Sequence, residues 1–373
     1  MLPLPTSVNW KRITFVIMIE GYLPLTRSME ARRMTTIWPL PKIDIRDLIS
    51  IEETRPVALL TGERSWAAVS PLLNLPLVVQ AEPYHVESGY LDSLANDLPP
   101  QVQVVYGVGG GMVGDAAKYV GWKKGLPVVL IPTSLSQDGF FTALVANRID
   151  GTVNYITTGP VEKIIIDWEV IRAAPQNVRG AAITELLTIV TGILDWRYAA
   201  DHKKTTPETA FVPWAAGLMA GIAQQAFKIA PGVGRGNVES LRNLLDLVCM
   251  EVQLTNQMGH NRPQEGSEQY FAYAIEPRAG KGRPLAYADM VGPGILIAGA
   301  LHGQDVNPIR ATLESAGIRL DQLRTNDIVD TIKILPEYVR KHELPYSILD
   351  DLDPTPEKIS ELLTATGLGA VGK

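Results

Sequence analysis

The stretch from Val102 to Gly139, VQVVYGVGGGMVGDAAKYVGWKKGLPVVLIPTSLSQDG, leaves few folds open to this chain. It reads as a short apolar strand, a glycine-rich turn, a helix, a second apolar strand and a polar loop. Strands without polar alternation are those buried on both faces, as in a parallel sheet covered by helices. Gly107, Gly109, Gly110 and Gly111 crowd the turn. Without a Cβ, the main chain can approach a ligand closely, and the free N–H groups of a helix start suit a phosphate. Glycines also weaken a helix start that nothing approaches. The segment therefore reads as a dinucleotide phosphate site before it reads as a plain turn. Gly109 to Gly114 fits G-x-G-x-x-G, but the acidic residue expected about 20 positions later is missing, because the next strand ends at Ile131-Pro132-Thr133. Asp115 and Lys118 lie one turn apart in the helix and are placed to pair.

The same alternation runs through the first half. Pro56–Thr61, Leu77–Gln80, Val128–Ile131 and Lys163–Asp167 read as strands, with a helix after Gly62-Glu63 and another over Tyr90–Leu98. Asn147–Thr158 reads as a β-hairpin turning at Asp150-Gly151. After Pro175 the pattern changes to amphipathic helices over Ala181–His202, Glu208–Ile229, Asn237–Met258, Glu265–Ile275 and Ala288–His302. Shorter ones follow over Asn307–Ala316, Asp327–Val339 and Pro356–Thr364, the last opened by Thr355 as N-cap. At 373 residues the chain exceeds one ordinary core. The expected architecture is an α/β, mainly parallel, Rossmann-like domain over residues 36–175 and an all-α domain over 176–373. The substrate cleft is expected between them. Residues 1–35 read as a leader, disordered or a misassigned start; Lys11 and Arg12 precede a short apolar run with no convincing cleavage site.

Composition narrows the function. Acidic residues number 40 and basic ones 34, for a net charge of −6 with no basic stripe, so nucleic-acid binding has no electrostatic support. No apolar span reaches membrane length. The single cysteine, Cys249, lies in a helical apolar run and fits a reducing cytoplasm. Trp196 and Trp214 read as core residues.

The motifs GGGMVGDAAKYV (109–120), PTSLSQDG (132–139), ILDWR (193–197), RPQEGSEQYFAYAIE (262–276) and VGPGILIAGALHG (291–303) occur in one order along the chain. In these the chain resembles the dehydroquinate synthase-like group, which includes the iron-containing alcohol dehydrogenases. Within that group it is similar to the sn-glycerol-1-phosphate dehydrogenases. The resemblance implies a dehydroquinate synthase-like fold and a bound NAD or NADP. It implies that Gly109, Gly110, Gly111, Met112 and Val113 line the cofactor phosphates, and that Asp115, Thr133, Ser136 and Thr142 also belong to the cofactor site. Asp138 would hold substrate hydroxyls, since a carboxylate accepts two hydrogen bonds from a diol; the local alternative is an Asx-turn before Gly139.

The family's zinc site does not carry over. Its aspartate and two histidine ligands fall at Glu185, Gln269 and Tyr287, and its substrate histidine falls at Tyr273. Neutral glutamine and tyrosine are poor zinc ligands beside imidazole. The five histidines include no i, i+4 pair, and only His260 lies near the EGSE motif. The expectation is therefore no metal, with Tyr273 and Tyr287 as proton donors, Glu185 as their partner or base, and Gln269 and Tyr273 touching substrate. Arg262 and the loop Arg278–Arg283 are the cations on offer to a substrate phosphate, the loop reading otherwise as solvated surface. The implied function is an NAD(P)-dependent oxidoreductase linking dihydroxyacetone phosphate and glycerol 1-phosphate for glycerophospholipid synthesis, cytoplasmic and capable of homo-oligomerisation. Two alternatives stay open: a transient-redox or non-redox lyase or cyclase of the same group, and a silent nucleotide-binding homologue.

Overall fold

Six parallel strands form the central sheet of the computed structural model, which describes residues 36–279 and 285–370; the leader and most of the basic loop fall outside these ranges. In chain order the strands are β1 (Lys42–Ile45), β2 (Val57–Thr61), β3 (Leu77–Ala81), β4 (Val104–Gly109), β5 (Val128–Pro132), β6 (Leu144–Ile149), β7 (Thr152–Thr157) and β8 (Lys163–Ile166). The sheet order is β1-β8-β5-β4-β2-β3. Every residue of β2, β4 and β5 is buried, as unalternated apolar strands require. β1 was not anticipated. Its sequence, KIDI, alternates charge with isoleucine and sits half-exposed at the sheet edge, paired with β8.

The helices of the first half are α1 (Glu63–Val69), α2 (Ser88–Asn96), α3 (Gly111–Lys124), α4 (Trp168–Ala173) and α5 (Gln176–Arg179). Alternate strand residues point to opposite faces. Val105, Leu130, Ile164 and Ile166 belong to the core that α3 joins, whereas Val104, Tyr106, Val129 and Ile165 share a cluster with Val69 of α1. Adjacent strands β2 and β4 therefore send their helices to opposite faces, and the loops after them part at the carboxyl edge. That edge is where open α/β sheets bind ligands.

β6 and β7 pair as the expected antiparallel hairpin. Asp150 (φ 53°) and Gly151 (φ 77°) make its turn in the left-handed region that Asp-Gly favours.

Eight helices follow: α6 (Ile183–Asp201), α7 (Pro213–Gly234), α8 (Val238–Met258), α9 (Ser267–Ala279), α10 (Ala288–Leu301), α11 (Asn307–Ala316), α12 (Thr325–Lys341) and α13 (Pro356–Thr366). Thr355 caps α13 by accepting from the Lys358 N–H at 3.2 Å. Their apolar faces join the α3 side of the sheet in one continuous core. Trp196 is buried in a smaller cluster, but Trp214 is 59% exposed, which corrects its reading as core. It stands on the outer face of α7 beside exposed Leu218. Among the described residues no helix is long and apolar enough to cross a membrane.

Candidate functional site

A cleft of about 940 Å³ opens along the carboxyl edge of the sheet and runs on between the hairpin and helices α6, α9 and α10. Its floor at one end is the glycine turn. Gly110 is the N-cap of α3, and no side chain caps that helix. The first main-chain bond into the helix is Gly114 N–H to Gly110 O at 3.1 Å, so the N–H groups of Gly111, Met112 and Val113 precede the helical ladder. A Cβ on Gly107 would strike Ala117 and Leu130 at 2.7 Å, so glycine there is a packing requirement. A Cβ on Gly111 would strike the Gln137 side chain at 2.1 Å, whereas one on Gly110 would meet nothing within 4 Å. Nothing in the protein itself requires glycine at 110.

Met112, Val113, Thr133, Ser136 and Thr142 all line this end. Thr133 is held by its N–H bond to Gly109 O at 3.1 Å, with Ser65 Oγ 3.3 Å from its hydroxyl. Thr142 Oγ1 donates to the carbonyls of Gly139 and Leu144. Asp115 also lines the cleft; its carboxylate pairs with fully buried Lys118 at 3.0 Å and accepts the Ala146 N–H at 3.3 Å, so it braces α3 against the hairpin.

Three family positions meet in the cleft beside the helices. Tyr287 OH donates to Gln269 Oε1 at 2.7 Å, and Gln269 Nε2 donates to Glu185 Oε2 at 3.4 Å. Glu185 is buried on α6, and burial followed by the charge of Asp138 pushes its carboxyl well above the usual range. Burial also raises Asp138, which accepts the Gln264 Nε2–H at 3.1 Å. Tyr273 joins a separate group: it donates to Glu265 Oε1 at 3.0 Å and lies 3.2 Å from the Tyr155 hydroxyl, and burial raises its own pKa.

The three positions that would ligate zinc therefore bond to one another. Gln269 spends its carbonyl on a phenol and its amide on Glu185, which leaves one carboxylate as the sole anionic donor. A zinc ion needs converging lone pairs from anionic or imidazole ligands, and this donor set does not fit it. Among the described residues no three His, Cys, Asp or Glu side chains are grouped to hold a metal.

Several neighbours carried no sequence signal of their own. Tyr155 reaches the cleft from β7, and Arg148 from β6. Arg148 Nε lies 2.9 and 3.0 Å from the two Glu276 oxygens, and its guanidinium covers the Tyr287 ring at 5.6 Å. The hairpin itself was readable; the pairing of its side chains with α9 was not.

Arg262 corrects the expectation of a substrate contact. It is buried away from the cleft, donating to Tyr346 O at 2.7 Å, Tyr270 OH at 3.3 Å and Asp195 O at 3.4 Å. It clamps α6, α9 and the segment before Ser347. Arg278 donates to Thr331 on α12. His260 packs edge-on against Trp196 at 5.3 Å and accepts the Arg262 N–H, so it does not replace a missing ligand.

Glu268, next to Gln269, gives a test of this region's electrostatics. It accepts Thr191 Oγ1–H and Gly266 N–H, both at 2.8 Å. Burial and the nearby Asp195 charge push it from the ordinary 4.5 up to about 8. Its proton is then bound more tightly in the folded state, so the stability it contributes is complete below about pH 4.5 and lost as pH rises toward 8. Glu268→Gln is expected to flatten the fall in unfolding free energy between those limits, read by urea titration at several pH values. An unchanged slope counts against a neutral Glu268.

Sheet, uncapped glycine turn and helical wall together define a parallel α/β fold whose cleft is lined by helices of the second half. The family profile described as "Iron-containing alcohol dehydrogenase" matches residues 45–175. Glycerol-1-phosphate dehydrogenase [NAD(P)+] of Methanothrix thermoacetophila is 30% identical over 271 residues, 72% of this chain and 73% of that one. The protein of the same name from Hyperthermus butylicus is 32% identical over 286 residues, 75% of this chain and 79% of its own. A probable glycerol dehydrogenase from Sinorhizobium meliloti has the same fold, with a TM-score of 0.61 at 15% identity, covering 89% of this chain and 98% of the other. The chain belongs to the iron-containing alcohol dehydrogenase family, among relatives of glycerol-1-phosphate dehydrogenase.

Proposed function

We propose that this chain is an NAD(P)-dependent oxidoreductase that interconverts a small polyol and its ketone, with Glu185 in the place of a metal ion. The observation that carries the reading is the Tyr287–Gln269–Glu185 hydrogen-bonded chain, which opens on the same cleft as the uncapped glycine turn. Gly109 to Val113 would hold the pyrophosphate, with Thr133, Ser136 and Thr142 beside it. When bound, the nicotinamide supplies or accepts a hydride.

The protein's own task is the proton. Reducing a ketone requires one at the carbonyl oxygen, and burial together with the Asp138 charge raises Glu185 well above the usual carboxylate range, which favours the protonated form that can give it. The proton moves from Glu185 to the developing alkoxide and leaves a carboxylate, which solvent reprotonates through the open cleft. Gln269 fixes the orientation of that carboxyl by bonding Oε2, and Tyr287 fixes Gln269. Asp138 accepts hydrogen bonds from substrate hydroxyls.

Glycerol 1-phosphate, the substrate after which the relatives are named, and dihydroxyacetone phosphate, its two-electron oxidation product, are the pair we assign. A phosphate at the deep end meets the Arg148 guanidinium, since Arg262 is enclosed elsewhere.

The test is NADH and NADPH oxidation with dihydroxyacetone phosphate and with dihydroxyacetone, each after EDTA treatment and after zinc addition. Turnover unchanged by EDTA is expected. Turnover abolished by EDTA and restored by zinc would overturn the metal-free reading, and cofactor binding without turnover of either ketone would overturn the assigned reaction.

A further inference from the structure

Glu251 lies on the buried stripe of α8, in line with Leu244, Val248, Val252 and Thr255. It is fully buried, and neither carboxylate oxygen has a hydrogen-bond partner among the described residues. The charged groups that face it are themselves acidic: Asp138 from the 3₁₀ turn that α8 packs against, and Glu185 from α6. An unpaired carboxylate in that setting costs several kcal/mol, whereas a neutral acid costs far less. Burial, then the charges of Asp138 and Glu185, accordingly push its pKa well above the carboxylate range.

A neutral carboxylic acid has one O–H to give, and the structure has an acceptor in want of it. Gln264 Oε1 is buried without a partner, and the Gln264 side chain is a hydrogen-bonding neighbour of Glu251 whose approach lowers that carboxyl's pKa against the larger effect of burial. The other end of the same amide donates to Asp138 Oδ2 at 3.1 Å. An amide set between two carboxyls has one donating and one accepting end, so the carboxyl at its accepting end must bear a proton. Glu251 is sealed from solvent, whereas Asp138 lines the open cleft. The cheaper place for the negative charge is therefore Asp138.

We infer that Glu251 is a permanently protonated positioning residue that donates to Gln264 Oε1, locks the amide with Nε2 toward Asp138, and so holds Asp138 ionised to bind substrate hydroxyls. The role for Asp138 rests on the oxidoreductase reading above; the proton on Glu251 and the orientation of Gln264 do not.

Glu251→Gln and Glu251→Met separate this role from a general packing role. Glutamine keeps a donor for Gln264 Oε1, and methionine keeps the volume without one. For Glu251→Gln, kcat and KM are expected within about threefold of the native protein, with an unchanged pH profile. For Glu251→Met, KM for the ketone is expected to rise roughly tenfold, the effect of one lost hydrogen bond to a charged group. The acid limb of kcat/KM should move to higher pH, because Asp138 loses the donor that favours its charge. Glutamine as damaging as methionine, or methionine without effect on KM and pH profile, would overturn the proposal. Infrared difference spectroscopy of native protein against Glu251→Gln at neutral pH needs no turnover and no methionine variant. Loss of a neutral carboxylic C=O band supports the protonated Glu251; the absence of such a band overturns it, whatever reaction the cleft performs.

Discussion

Glu185→Gln is expected to lower kcat for ketone reduction by about 10²–10⁴-fold, the range for removing a general acid. NADH affinity should stay within about threefold, because Glu185 stands on α6 and not on the glycine turn, and an isosteric amide keeps the buried volume. Glutamine cannot donate a carboxyl proton, yet it still accepts the Gln269 N–H, so the Tyr287–Gln269 chain survives. The sign of the pH dependence follows from the raised pKa. The neutral form is the acid that reduction needs, so the native reduction rate is highest below the Glu185 pKa and falls as pH rises through it. Alcohol oxidation needs the carboxylate and rises over the same window. Glu185→Gln should remove both limbs. Stopped-flow reduction at several pH values, beside NADH fluorescence titration, reads all of this. A Glu185→Gln variant with native kcat and a native pH profile would place the acid elsewhere, with Tyr273 and its Glu265 partner next in line.

Local chemistry decided how much of this was legible in the sequence. The β4–glycine–α3 unit, the Asp150-Gly151 hairpin and the Thr355 cap each depend on a few adjacent residues whose side chains dictate backbone shape, so each could be read from those residues. β1 could not, because a half-exposed edge strand of four residues carries no unbroken apolar run. Arg262 was misjudged for a different reason. Its partners, Asp195, Tyr270 and Tyr346, are brought together only by the packing of distant segments, and a guanidinium enclosed by carbonyls looks like any other arginine in the sequence. The Gln264–Asp138 bond spans 126 residues and is equally invisible. Glu251 did leave a trace, because an acidic residue in phase with the leucines and valines of α8 breaks the helical pattern where a buried acid must be. At the metal positions the substitutions were readable, but their outcome was not: only the fold shows that the three side chains bond to one another.

Gly110→Ala should weaken NAD(H) binding by at least about tenfold, or roughly 1.4 kcal/mol, while leaving the fold intact. The reasoning is one of subtraction. The backbone at Gly110 is extended (φ −87°, ψ −171°), open to any L-residue, and a Cβ there meets no protein atom within 4 Å. Alanine at an N-cap in place of glycine costs up to about 1 kcal/mol, a small loss for a chain of this size. What the new methyl does occupy is the space over the free N–H groups of α3, where a pyrophosphate would approach. Gly107→Ala is the opposite case. Its methyl meets Ala117 and Leu130 at 2.7 Å inside the core, so it should destabilise by about 1–3 kcal/mol through overpacking. Thermal denaturation with and without saturating NADH distinguishes the two. Gly110→Ala should match the native Tm without cofactor and lose the shift that NADH confers. Gly107→Ala should have a lower Tm but still gain from NADH. A Gly110→Ala protein that keeps the full shift would mean that the uncapped start of α3 is not where the phosphates sit.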